Sequence, residues 1–140
     1  MFVVLDTNHF SELAEDSTIG KGLKGKLLAT GAEAFTTIIT SQEVSQGWFA
    51  IINRKPAGRA QITYYARYQH NMAMLNELMI LPFDDEAATV FHRLQEQRIR
   101  VGTMDLKIAS ICIAHVATLL TRNLADFDKI PDLRVENWLE

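Results

Sequence analysis

One cysteine, Cys112, in a chain of 140 residues excludes any internal disulfide framework. Long apolar runs are also missing, and none approaches the roughly 20 residues that would cross a bilayer. Glycine and proline are sparse, at 7 and 3 residues, so breaks are local and no linker, repeat or low-complexity tract divides the chain. The four histidines (His9, His70, His92 and His115) show no zinc-type spacing and are expected to be structural or on the surface. A basic start, a long apolar stretch and a small-residue cleavage site are absent from the first residues, which leads to the expectation of a cytoplasmic protein with no membrane contact. Excess positive charge is lacking too. With 14 Lys and Arg against 17 Asp and Glu the net charge is −3, which alone says nothing of a polyanionic ligand.

What is present suits one globular domain over residues 1–140, with 48% hydrophobic residues and enough length for a real core. Charge is unevenly spread. Residues 17–76 hold seven basic residues (Lys21, Lys24, Lys26, Arg54, Lys55, Arg59, Arg67) against Glu33 and Glu43, a local +5 opposed by −8 elsewhere. Such a region can steer a polyanion without a high isoelectric point, or can simply solvate helix faces.

Four short apolar or β-branched runs stand out at residues 2–5, 34–39, 79–82 and 117–121. The first, second and fourth are continuous, as in strands covered on both faces. Residues 134–138 can add a short edge strand. Ile62, Tyr65, Tyr68, Met72, Leu75 and Met79 recur at helical spacing, so residues 59–78 read as one amphipathic helix. Asp84 or Asp85 can cap the next helix, with Ala87, Val90, Phe91 and Leu94 facing inward. Residues 104–116 form a helix that from Ile108 to Ala114 is apolar almost all round except at Ser110, and it should lie inside. The alternation implies an α/β three-layer domain, with a central, mainly parallel sheet of four to five strands flanked by helices. Ligands of such sheets collect beyond the carboxyl ends of the strands, where strand order reverses.

Several acids fall where acids are costly. Asp6 directly follows the first apolar run and is either a site carboxylate or a helix cap, a role Thr7 and Asn8 could also fill. Glu43 follows the second run, and Thr40 with Glu43 also fits a capping box. Asp105 lies in the first turn of the most buried helix, with Thr103 as its expected cap. Asn123 and Asp126 follow the fourth run and can point to the same crevice or form an ordinary polar turn. Taken as a set, hard oxygen donors without cysteine or clustered histidine favour Mg²⁺ or Mn²⁺ over Zn²⁺. Cys112, inside the apolar helix, reads as a small core residue.

These residues also carry a resemblance. Leu5-Asp6-Thr7-Asn8, Thr40-Ser41-Gln42-Glu43 with Gly47, Gly102-Thr103-Met104-Asp105-Leu106-Lys107-Ile108-Ala109, and Leu120-Thr121-Arg122-Asn123-Leu124-Ala125-Asp126-Phe127 with residues 133–138 together resemble the PIN domain. Within it the pattern is most similar to the VapC-type toxins of bacterial toxin–antitoxin pairs. The resemblance spans essentially the whole chain in order. It implies a Mg²⁺- or Mn²⁺-dependent endoribonuclease that hydrolyses RNA through metal-activated water, with a small antitoxin protein as partner and a tendency to form homodimers.

By that resemblance Asp6 and Asp105 are the principal metal ligands, and Glu43 completes the acidic cluster. Asp126 is the fourth catalytic acid, with Asn123 as its polar neighbour. Some members carry Asp where this chain has Asn123, which leaves the second metal open. Thr7, Thr121 and Arg122 are further polar or substrate neighbours, and Lys107 or the basic residues of 54–67 can hold flanking phosphates. Trp48 and Phe49 belong to the core or to a dimer interface. Two rivals stand beside this reading. One is a non-catalytic PIN scaffold that binds RNA or protein. The other is an aspartyl-nucleophile phosphatase, whose usual second Asp is here Asn8.

Overall fold

Phe2–Leu5 is the most hydrophobic short run of the chain, and as β1 it becomes the middle strand, with Val3, Val4 and Leu5 fully buried. The computed structural model describes residues 1–140. After β1 come α1 (Thr7–Glu15), α2 (Thr18–Thr30), β2 (Glu33–Thr37) and α3 (Ile38–Asn53). A 3-10 turn (Arg59–Gln61) leads into α4 (Ile62–Glu77), followed by β3 (Met79–Leu81), α5 (Asp85–Glu96), α6 (Thr103–Ala114), β4 (Thr118–Leu120), α7 (Leu124–Phe127) and β5 (Arg134–Glu136). No helix is long and apolar enough to cross a membrane.

All five strands are parallel, in the order β3-β2-β1-β4-β5. The chain builds outward from β1 to one edge through β2 and β3, then returns to add β4 and β5 on the other side. The order therefore reverses between β1 and β4, and a crevice opens beyond their carboxyl ends. Because side chains alternate across a strand, Val4 faces one core and Val3 and Leu5 face the other. The first core joins Val4 and Leu119 to α5 and α6, and the second joins Val3, Leu5 and Leu120 to α1, α2 and α4. Helix α3 serves both, through Ile39 and Val44 respectively. Helices α1 and α2 meet closely at Gly20, where any Cβ would collide with the backbone carbonyl of Glu12.

Several boundaries differ from the sequence expectation, and the helix expected over 59–78 is a 3-10 turn at Arg59–Gln61 followed by α4. The second strand ends at Thr37, because the Thr37 hydroxyl accepts a hydrogen bond from the Thr40 amide at 3.1 Å and starts α3. Ile38 and Ile39 read as strand by β-branching, yet they are the first turn of that helix. Thr40 and Glu43 consequently form no capping box. The buried helix is capped one residue early, by Gly102 rather than Thr103, with the Leu106 amide bonding to the Gly102 carbonyl at 2.9 Å. It stops at Ala114, two residues short of the expected end, because Val116 takes a left-handed conformation with φ 53°. The edge strand is likewise cut to Arg134–Glu136.

Candidate functional site

The crevice beyond β1 and β4 is a cavity of about 250 Å³ lined by Asp6, Thr7, Asn8, Glu43, Asp105, Ile108, Asn123 and Phe127. Four segments deliver Asp6, Glu43, Asp105 and Asn123. Asp6 directly follows β1 and is held there by its amide, which bonds to the Leu120 carbonyl of β4 at 3.1 Å. The Thr36 hydroxyl donates to the Leu5 carbonyl at 2.9 Å and fixes the same turn from the β2 side. Glu43 comes from the second turn of α3, Asp105 from the first turn of α6, and Asn123 from the turn after β4.

Asp6 is both a cap and a cavity residue. Its Oδ1 accepts the His9 amide at 2.9 Å and lies 3.2 Å from His9 Nδ1. Oδ2 has no protein donor. The residue is only 7% exposed, so little water screens it. Glu43 is freed from capping, and its Oε1 accepts the Thr7 hydroxyl at 2.8 Å across 36 residues of sequence. The Asp105 carboxyl is held above the ordinary aspartate range, first by burial and then by the negative charges of Glu43, Asp6 and Asp126.

Asp126 stands differently from the other three. It does not line the cavity, and its side chain is 45% exposed. One oxygen accepts Asn123 Nδ2 at 3.0 Å and the other lies 3.3 Å from Lys129 Nζ. Those bonds, Asn123 first, hold its carboxyl below the usual range. It therefore sits at the rim and reaches the cavity through Asn123. Thr121 is buried and uses its hydroxyl to accept the Asn123 amide at 3.0 Å, which shapes the turn rather than the cavity. Arg122 points to Glu12, 3.7 Å away, and does not line the cavity. Lys107 makes no ion pair and is absent from the lining as well.

As placed, no three Asp, Glu, His or Cys side chains converge tightly enough to enclose a metal ion. The donor set nonetheless suits a hard divalent cation. It offers carboxylate oxygens with their mutual repulsion unrelieved, and Mg²⁺ is ordinarily held by one or two carboxylates while keeping several waters. His9, expected to be structural or on the surface, is fully buried, and its long-range partner Trp138 leaves no trace in the local sequence. The one available signal was its position three residues after Asp6, in the first turn that Asp6 caps. Cys112 is fully buried, and burial raises its thiol far above the range in which it would react. Trp48 lies under the Arg67 guanidinium, 4.8 Å from its ring centre, and Phe49 is 46% exposed beside Tyr68.

Comparison with known proteins follows the same lines. The family profile of the PIN domain matches residues 3–133. Ribonuclease VapC2 of Rickettsia felis is 37% identical over 68 residues, which are 46% of this chain and 51% of that protein. Ribonuclease VapC1 of the same organism is 43% identical over 60 residues, 40% of this chain and 45% of its own. The chain thus spans about half the length of the curated relatives it matches. The structure of VapBC2 from Rickettsia felis bound to a promoter DNA fragment superposes with a TM-score of 0.74 at 24% identity, covering 99% of both chains. That of VapBC-1 from nontypeable Haemophilus influenzae superposes with a TM-score of 0.77 at 20% identity, covering 100% of both. At these identities the two structures speak for the fold alone.

Proposed function

Because the chain belongs to the PIN-domain family, we propose that it is a divalent-metal-dependent endoribonuclease, acting as the toxin of a toxin–antitoxin pair. The observation that carries this reading is the convergence of Asp6, Glu43 and Asp105 on one cavity at the strand-order reversal. The matched relatives named ribonuclease VapC, and the neighbours solved as VapBC complexes, support it. An RNA strand is the substrate, a small antitoxin the partner, and Mg²⁺ or Mn²⁺ the cation.

In this mechanism Asp6 and Asp105 would hold the cation. When bound, it supplies an activated water and offsets charge developing on the phosphate oxygens. Glu43, oriented by the Thr7 hydroxyl, accepts a proton from the attacking water. Asn123 offers a neutral donor to the phosphate, and Asp126 holds Asn123 in place from the rim. Ile108 and Phe127 form the dry wall that keeps these charges in a low dielectric.

The test is cleavage of a mixed RNA pool by the purified protein in Mg²⁺ or Mn²⁺, compared with EDTA. Asp6→Asn and Asp105→Asn should each lower the rate by about 100-fold or more while circular dichroism stays unchanged. Undiminished cleavage by either variant would reject the assignment. Intact RNA binding with no cleavage at any metal concentration would instead favour a non-catalytic scaffold.

A further inference from the structure

His9 and Cys112 are fully buried titratable side chains that the mechanism leaves without a task, and of the two only His9 bonds to a residue of the cavity. Its ring is bonded at both nitrogens. The Trp138 backbone amide donates to Nε2 at 3.2 Å, across 129 residues of sequence. A backbone amide can only donate, so Nε2 must carry its lone pair. The ring is therefore neutral, and its single proton lies on Nδ1, facing Asp6 Oδ1 at 3.2 Å. The same Oδ1 also accepts the His9 amide at 2.9 Å. One residue thus supplies both donors to one carboxylate oxygen of a cavity-lining residue and leaves the other, Oδ2, without a protein donor.

We propose that His9 is a positioning residue for the cation site, fixing the Asp6 carboxylate so that Oδ2 alone is presented, with Trp138 setting the tautomer that makes this possible. The inference rests on the reading of the acidic cavity as a cation site. Its physical basis is that metal ligands need a donor behind them. A carboxylate held on one oxygen keeps its other oxygen in register, and losing such a support commonly weakens metal binding 10- to 100-fold. Here the support is tied to the segment after β5. That segment is anchored in turn by buried Leu139 and by Lys26 Nζ bonding to the Glu140 carbonyl at 2.8 Å.

Two substitutions separate positioning from packing. His9→Gln can still accept the Trp138 amide through its terminal carbonyl but has no donor at the δ position. His9→Asn keeps an amide donor near the place of Nδ1 and gives up the bond to Trp138. Both lose packing and should melt below the wild type. Mn²⁺ titration of the full-length metal-free proteins should show about 10- to 100-fold weaker binding for His9→Gln and affinity within about threefold of wild type for His9→Asn. A long-range ¹H–¹⁵N spectrum of the wild type should show the Nδ1–H tautomer of His9. Equal affinities in the two variants, or an Nε2–H tautomer, overturn the proposal while leaving the cation site standing. A wild-type protein that binds no Mn²⁺ overturns the cation reading, and the role of His9 with it.

Discussion

Removing the charge of Asp105 should stabilise the metal-free protein and destabilise the metal-bound one. Two opposing effects act on this carboxylate. Its place in the first turn of α6 favours the anion by about 0.3–1 kcal/mol through the helix dipole. Burial opposes the anion, as do the charges of Glu43, Asp6 and Asp126, and the net result is a raised pKa, so the opposing side wins. The folded chain consequently keeps a proton that the unfolded chain has already released. Over the interval between the unfolded and folded pKa values, stability falls as pH rises, and it stays reduced above that interval. Asp105→Asn carries no such penalty. In EDTA at pH 8 the variant should melt above the wild type, and the gap should close as the pH is lowered toward 4.

Cation binding reverses the order. A ligand at about 100 times its Kd stabilises the native state by about 2.7 kcal/mol. For a chain of 140 residues each kcal/mol moves Tm by about 3 °C, so Mn²⁺ at that concentration should raise the wild-type Tm by about 8 °C. The variant, with one principal ligand neutralised, should gain far less. Differential scanning calorimetry from pH 4 to 8, with EDTA and then with Mn²⁺, reads both arms. A variant that melts below the wild type in EDTA at pH 8 would refute the repulsion argument, and an equal Mn²⁺ gain would refute the ligand assignment.

Asp126→Asn should lower RNA cleavage by about tenfold or less, against about 100-fold or more for Asp105→Asn, because its carboxylate is turned onto Asn123 and Lys129 at the rim. Equal losses in the two variants would place Asp126 in the cation's own coordination sphere. Val116 holds a left-handed backbone with its side chain 87% exposed, just before β4 and at the end of the strands away from the cavity. Val116→Gly should relieve that strain at little cost in burial and raise stability by about 1 kcal/mol, or about 3 °C in Tm, with cleavage unaffected. A lower Tm would count against the strain.

What could be read from the sequence was whatever depends on continuous patterns. A run of four apolar residues followed by Asp6 announces a buried strand with a carboxylate at its mouth, and the nearly uniform apolar surface of residues 108–114 announces an interior helix. Both hold in the fold, because burial on all sides leaves no alternative for such segments. The start of α3 was hidden by Ile38 and Ile39, whose β-branching mimics strand while a single hydroxyl–amide bond from Thr37 decides for helix. Capping and site readings of Asp6 and Glu43 could not be separated, since the same residue types serve both. The structure separates the two residues: Asp6 caps α1 and also lines the cavity, whereas Glu43 lines the cavity and has no capping role at all. The turn of Asp126 toward Lys129 and the bond from Trp138 to His9 depend on side-chain choices and long-range placement, neither of which leaves a periodic trace.

The double role of Asp6 dictates how function can be probed without breaking the fold. As the N-cap of α1 it satisfies an otherwise unpaired amide, and replacing a cap by Ala costs about 1 kcal/mol, whereas Asn caps about as well as Asp. Asp6→Ala would therefore weaken the helix, release the His9 ring and remove a cation ligand in one step, and lost cleavage would not distinguish them. Asp6→Asn keeps an oxygen for both His9 donors when its carbonyl takes the place of Oδ1, and puts a neutral amide in place of Oδ2, which no protein donor satisfies. If that variant melts within about 2 °C of wild type in EDTA, consistent with a cap change of a few tenths of a kcal/mol, and yet shows no Mn²⁺ stabilisation, the negative charge itself is what the cavity requires of this residue. A Tm depressed as far as that of Asp6→Ala would mean that the charge, and not only the oxygen, holds α1 to the sheet.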